Sequence, residues 1–163
     1  MTLQTATITE TILVEEAQLT DIESLKKLLK QLVPDQNPEY GIMLVDLSES
    51  IKSNYNKWFV VRNNERVVGC CQLIIYRNLI RSPYRKAIID SVIIDEENQY
   101  LGFGKLMIEK VLDYAKDHQV GKVQLISSFP RTAAHHFYEK MNFAKMGYGY
   151  IIDLSIRKRS YFL

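Results

Sequence analysis

Gln99-Tyr100-Leu101-Gly102-Phe103-Gly104-Lys105 sets two glycines two residues apart, between an apolar stretch ending at Ile94 and an amphipathic stretch opening at Phe103. Glycine at a strand-to-helix turn lets backbone N–H groups approach an anion, and a helix start carries partial positive charge, so phosphate is the natural ligand of such a loop. Two familiar phosphate loops do not fit. A dinucleotide fingerprint needs a third small residue where Met107 stands, and a P-loop needs glycine at Gln99 and Ser or Thr at Leu106. A Gly-x-Gly pair also suits an ordinary tight turn. Upstream, Asp90 interrupts the apolar run 87–94, and strict alternation puts it on one face with Ile88 and Val92. Burial there would raise its pKa and make it a base for an ammonium, directly or through water. Pairing with a cation or capping a bulge are its alternative roles. His135 and His136 point about 100° apart on a helix, so at most one can face a given site; both read as surface or satisfied side chains.

The elements around these residues follow from periodicity and punctuation. Residues 12–17 read as a strand, and Thr20 with Glu23 has the spacing of a capping box for a helix whose stripe is Ile22, Leu25, Leu28, Leu29 and Leu32, ended before Pro34. Residues 34–40 are loop chemistry and 43–55 a weaker helix. Residues 58–62 and 66–76 flank Asn63-Asn64, a turn pair tolerant of positive φ, and predict an antiparallel hairpin. A strand over 87–94, a helix with Phe103, Met107, Ile108, Val111, Leu112 and Ala115 on one side, a strand over 122–127, a helix over 132–141 and two strands within 143–156 complete the order. Hairpins mixed with a parallel crossover predict a mixed α+β or α/β sheet in one domain spanning 1–163, with 1–11 as a flexible lead-in.

Composition bounds the class. Of 163 residues, 47% are hydrophobic and 25% charged, enough apolar material for one core and too ordered a mixture for a disordered or repetitive chain. The 21 basic and 19 acidic residues are interspersed and leave a net charge of +2, which disfavours a nucleic-acid or membrane-surface binder. Apolar runs are strand-sized, far below the ~18 residues of a membrane span, and the amino terminus does not read as a secretory signal. Adjacent Cys70 and Cys71 would point to opposite faces of a strand, so a disulfide between them would be strained; they read as buried free thiols of a cytoplasmic protein, with no metal site.

Val92-Ile93-Ile94-Asp95-Glu96-Glu97-Asn98 followed by Q-x-x-G-x-G resembles the acetyl-CoA-binding signature of the GNAT superfamily of N-acetyltransferases, and residues 134–143, Ala-His-His-Phe-Tyr-Glu-Lys-Met-Asn-Phe, resemble that family's A-x-x-F-Y-E-K-x-G-F segment. The resemblance implies a sheet whose fourth and fifth strands splay apart around pantetheine. Val92, Ile93 and Ile94 would bond its amides as an added strand does. The N–H groups of Gln99, Tyr100, Leu101, Gly102, Phe103, Gly104 and Lys105 would cradle the pyrophosphate, with Arg131 a further contact to CoA. Tyr138 aligns with the general acid that protonates the departing thiolate, and Asp90 with a carboxylate that serves as base. The implied activity is transfer of acetyl from acetyl-CoA to a primary amine of a small molecule or peptide by direct attack.

The match has departures: Tyr100 and Asn142 stand where glycine is common, Glu96 where proline is frequent, and Arg131 where asparagine is frequent. Asn142 is mild, since Asn tolerates the left-handed conformation that ends a helix. The acceptor would lie among the first helices and the loops after Leu32 and Tyr76, where Tyr40, Tyr76 and Tyr84 are candidates beside Asp35, Glu39, Arg77 and Arg81. Carboxylates there favour a polyamine or peptide amine; the arginines favour an amine carrying phosphate or carboxylate. A non-catalytic CoA-binding sensor, a protein N-acetyltransferase, and an RNA-associated protein using Arg157-Lys158-Arg159 and Tyr161 are the competing readings. A homodimer through the last strands is a further option that the resemblance raises.

Overall fold

The computed structural model describes residues 11–81 and 83–152. The chain divides into two compact units, one up to residue 125 and one from residue 126. The first carries a five-stranded sheet in the order β1 (Ile12–Glu16), β2 (Asn56–Asn63), β3 (Arg66–Arg77), β4 (Arg85–Ile94) and β5 (Val120–Gln124). The first four are antiparallel in sequence, and β5 joins β4 in parallel. Helices α1 (Ile22–Leu32) and α2 (Tyr40–Lys52) connect β1 to β2, and α3 (Phe103–Asp117) makes the crossover from β4 to β5. None of the described helices is long and apolar enough to cross a membrane.

The two faces of the sheet are assigned by neighbouring residues that point opposite ways. Val60, Trp58, Cys70 and Ile93 pack with Leu25, Leu28 and Leu47, so α1 and α2 lie on their face. Phe59, one residue from Val60, makes an edge-to-face contact with Tyr114 of α3, ring centroids 5.2 Å apart, which puts α3 on the other face. Of the predicted stripes, Ile22, Leu25 and Leu28 on α1 and Phe103, Met107, Ile108, Val111 and Ala115 on α3 are buried, with Leu29, Leu32 and Leu112 partly so. Full burial of a side chain such as Phe59, Leu73, Ile89 or Met107 stabilises by about 1.5–3 kcal/mol.

Several boundaries move. The reciprocal cap at the start of α1 is not Thr20 with Glu23: the Gln18 N–H donates to Asp21 Oδ2 at 2.9 Å and the Asp21 N–H to the Gln18 carbonyl at 2.9 Å. Asp21 wins because its carboxylate also receives the Arg62 guanidinium at 2.8 Å. Helix α2 starts at Tyr40, inside the predicted loop. In the hairpin Asn63 pairs with Arg66, so the turn is Asn64-Glu65, with Asn64 alone at positive φ, 54°. Strand β5 begins two residues early and ends at Gln124 rather than 127. Residues 143–152 form no strand, and the remainder of the strands predicted over 143–156 lies outside the described residues, as do residues 1–10 of the predicted flexible lead-in and the basic tail. Thr11 is held by Asn64, whose Oδ1 accepts the Thr11 N–H at 3.1 Å.

In the second unit, α4 (Thr132–Lys140) ends as the sequence predicts, with Asn142 at φ 64°. The Phe143 N–H reaches the Tyr138 carbonyl and the Asn142 N–H the Glu139 carbonyl, both at 3.0 Å, which is a Schellman closure with the Tyr138–Phe143 ring contact as its apolar partner.

Gly69 fixes how closely β4 approaches β3. It pairs with Ile94, and a Cβ there would strike the Ile94 side chain and lie 2.8 Å from the Ile93 carbonyl oxygen. Gly69→Ala is expected to destabilise by about 1–3 kcal/mol, lowering Tm by about 2–10 °C; an unchanged thermal melt would contradict this packing.

Candidate active site

Strand β4 is paired along both edges for only part of its length. Its register with β5 runs from Arg85 opposite Val120 to Ile88 opposite Gln124 and stops there, while its register with β3 continues to Ile94. Among the described residues, no strand pairs with the outer edge of β4 from Ile89 to Ile94. An extended backbone with an open edge is a template for a ligand carrying amides in series. Val92, Ile93 and Ile94 lie on this stretch, half-buried.

A bulge sits at the start of the open stretch. Gln72 pairs with Asp90 and Cys70 with Ile93, so Ser91 and Val92 together oppose Cys71, and Ser91 takes φ 51°. A bulge adds a residue to one strand, bends it and reverses the facing of the residues beyond it. The expected facing of Asp90 with Val92 is therefore wrong: beyond the bulge Ile93, not Val92, turns toward α1. The burial expected of Asp90 is also absent. Asp90 is exposed, and its Oδ1 accepts the Ser91 N–H at 2.6 Å, so bulge capping is the role the geometry gives it. Its register places it in a row with Gln72 and Trp58 across three strands, on the face of α1 and α2. Gln72 Nε2 donates to Asn56 Oδ1, two residues before Trp58 on β2, at 2.8 Å.

The strand ends in the glycine loop. After a short 3-10 turn over Glu96–Asn98, Tyr100 has φ 65° and Gly102 φ 90°, and Gly102 is the N-cap of α3 with no side chain capping it. Left-handed residues alternating with others turn successive N–H groups toward one concavity, and the first N–H groups of a helix have no partner within it. The loop has the alternating backbone conformation that such a concavity requires, with Tyr100 90% and Leu101 63% exposed. Tyr100 adopts a conformation that costs a non-glycine residue about 1 kcal/mol or more. Phe103 is buried and anchors the helix, whereas Lys105 is exposed with Nζ 3.8 Å from Glu109.

The loop is held from behind by Asp95, whose burial no local pattern marks. Its side chain is 7% exposed and receives Gln31 Nε2 at 2.8 Å, Arg66 Nη2 at 2.7 Å and Asn98 Nδ2 at 3.0 Å. The Gln31 hydrogen bond foremost, then Arg66, Asn98 and Lys27, hold its pKa below the ordinary 3.8 against the opposing effect of burial. A depressed carboxylate contributes stability above its unfolded pKa and loses it as pH falls through the folded value. An acid following an apolar strand and preceding Glu96-Glu97 looks like solvated turn chemistry; the signal of its burial lies in Gln31 and Arg66, far away in sequence.

The remaining candidates are dispersed. Tyr40 opens α2 with Lys26 Nζ 6.0 Å from its ring centroid, Tyr76 lies on β3 opposite Lys86, and Tyr84 lies against Gly121 of β5. In the second unit, Tyr138 is half-buried between Phe137 and Phe143, and Arg131 is the N-cap of α4. His135 Nε2 is 3.0 Å from the Ser128 carbonyl, the satisfied role expected of it. No group of three or more His, Cys, Asp or Glu able to hold a metal occurs among the described residues. Cys70 and Cys71 are free and buried, as expected. Burial pushes the Cys71 thiol up to about 12, and burial together with Cys71 pushes Cys70 well above its ordinary value, so neither supplies a thiolate nucleophile.

Residues 22–143 match the model of the Acetyltransferase (GNAT) family. That span is well over half the chain, and the protein belongs to this family. No curated protein matches the sequence. Solved structures share the fold at low identity. A transcriptional regulator from Bacillus halodurans C-125 is 21% identical with a TM-score of 0.82, covering 88% of this chain and 100% of its own. Glucosamine-6-phosphate N-acetyltransferase from Arabidopsis thaliana is 18% identical with a TM-score of 0.78, covering 89% and 99%. An aminoglycoside N-acetyltransferase, AAC(6')-Iy, in complex with CoA, is 17% identical with a TM-score of 0.76, covering 93% and 97%.

Both cysteines are expected to resist iodoacetamide in the native protein at mildly alkaline pH and to react once it is denatured. Rapid native labelling, followed by mass spectrometry, would contradict their burial.

Proposed function

We propose that the protein is an acetyl-CoA-dependent N-acetyltransferase acting on a primary amine of a small molecule or peptide, and that both units belong to one transferase domain. The observation that carries this is the open edge of β4 from Ile89 to Ile94 running straight into a loop with Tyr100 and Gly102 at positive φ. Pantetheine amides would pair along Val92, Ile93 and Ile94. The pyrophosphate would sit on the N–H groups of residues 99–105 at the start of α3.

Acetyl-CoA supplies an acyl group already activated as a thioester. The residues of the chain supply the proton movements of aminolysis. The amine nitrogen forms the C–N bond as the C–S bond breaks, the thiolate takes its proton from the Tyr138 hydroxyl, and the ammonium proton passes through water to Asp90. An exposed Asp90 reached through water accords with its place in the bulge, and the same carboxylate can hold an acceptor ammonium beside Gln72 and Trp58. The direct route uses no acyl-cysteine, consistent with thiols held protonated.

The competing reading is a CoA-binding module without turnover, which the likeness to a structure described as a transcriptional regulator keeps in view. Calorimetry with CoA followed by a panel of amines with labelled acetyl-CoA separates the two. The expected result is one CoA site of roughly micromolar to millimolar affinity and at least one acetylated amine; binding without any acetylation would favour the module, and absence of CoA binding would overturn both. Tyr138→Phe should lower kcat about a hundredfold with acetyl-CoA affinity within about twofold. An unchanged kcat would remove Tyr138 from the chemistry.

A further inference from the structure

We propose that Asp95 is the positioning residue of the phosphate cradle: its buried carboxylate ties the end of β4 to α1 and to the start of β3, and so fixes where the N–H groups of residues 99–105 point. The inference rests on the reading of that loop as the pyrophosphate site.

Asp95 stands where the open strand ends. Its N–H donates to the Val68 carbonyl of β3 at 2.8 Å, the last backbone tie before the loop, and its own carbonyl takes the Asn98 N–H at 2.8 Å. The side chain then collects three donors from three places, Gln31 on α1, Arg66 on β3 and Asn98 in the turn itself. Gln31 also closes on the turn from the other side, its Oε1 accepting the Glu96 N–H at 3.4 Å. One residue beyond Asn98, Gln99 returns its Nε2 to the Ile94 carbonyl at 3.2 Å. Residues 94–99 are thereby a closed ring of hydrogen bonds, and the left-handed Tyr100 follows it directly.

The polarity of the ring admits one arrangement. A carboxylate accepts on both oxygens, and here every neighbour of those oxygens is a donor. In Asp95→Asn one oxygen becomes an NH2 group. Facing Arg66 and Asn98 it meets two donors; facing Gln31 it meets one. If Gln31 turns its amide to accept from it, the Gln31 NH2 is brought against the Glu96 N–H instead. Each choice sets a donor against a donor at a side chain only 7% exposed, which a local shift of the turn relieves. A shift of about 1 Å in a cradle that works by aimed N–H groups costs binding of the anion, and leaves ligand parts that do not reach the cradle unaffected.

That distinction makes the test. CoA and pantetheine share the amides that would pair with β4, but only CoA carries the pyrophosphate. CoA affinity is measured by calorimetry, and pantetheine affinity by the amide shifts of Val92, Ile93 and Ile94 on titration, for the unmutated protein and for Asp95→Asn. A weakening of CoA by about tenfold with pantetheine within about twofold is the expected result. Equal weakening of both, or of neither, overturns the assignment, since a residue that merely stabilises the fold does not discriminate between the two ligands. If Asp95→Asn fails to fold, Arg66→Gln, whose side chain is half-exposed, removes one donor to the same carboxylate and should weaken CoA alone by about threefold; no selective loss there overturns the assignment equally. Failure of the unmutated protein to bind CoA would instead overturn the proposed function, and this inference with it.

Discussion

A strand whose backbone is bonded on one edge and open on the other is the constraint around which this molecule is arranged. Backbone N–H and C=O groups away from water need partners, and an open edge in the middle of a sheet is a liability unless something fills it. Strand β4 has β5 beside it only as far as Ile88. Just beyond, the Ser91 bulge adds a residue on the β4 side and bends the strand. Pairing with β5 ends at Ile88 and the bulge follows at Ser91 and Val92, so β4 changes partner and direction within a few residues. Gly69 is its counterpart on β3, because only the absence of a side chain lets the bent strand lie so close.

The rest of the first unit holds that geometry. Helices α1 and α2 cover the face of Val60 and Cys70, and α3 covers the face of Phe59, so the sheet is clamped from both sides up to the point where β4 bends. Beyond that point apolar packing gives way to the polar ring around Asp95, which stops the strand and delivers the chain to the loop at the start of α3. Packing is tolerant of small displacements, whereas hydrogen bonds to a buried carboxylate are directional. The precision of the loop therefore rests on the polar ring more than on the core.

The sequence makes much of this legible and leaves the rest to tertiary structure. The stripes of α1 and α3, the apolar strand ending at Ile94, the glycine loop and the left-handed Asn142 are local patterns, and each is found where periodicity or turn chemistry puts it. Tyr100 stands at a position where glycine is common, and its φ of 65° gives that departure a physical meaning. The errors share a cause. Alternation along 87–94 puts Asp90 and Val92 on one face, but a bulge is a cross-strand event with no signature in the strand that carries it. Thr20 and Glu23 have capping spacing, yet Asp21 takes the role because Arg62, some forty residues away, lies across from it. The burial of Asp95 has no local signal either, because its donors come from α1 and β3. Residues 143–152 have strand-like alternation and no strand, since alternation records what a segment could pair with and not whether a partner is there.

Residue-resolved hydrogen exchange with and without CoA decides whether the open edge of β4 and the loop at the start of α3 together seat acetyl-CoA. CoA is expected to slow exchange of the amides of residues 92–94 and 99–105, with the paired stretch of β4 from Arg85 to Ile88 unaffected. Protection elsewhere with those two segments unchanged would contradict that seat.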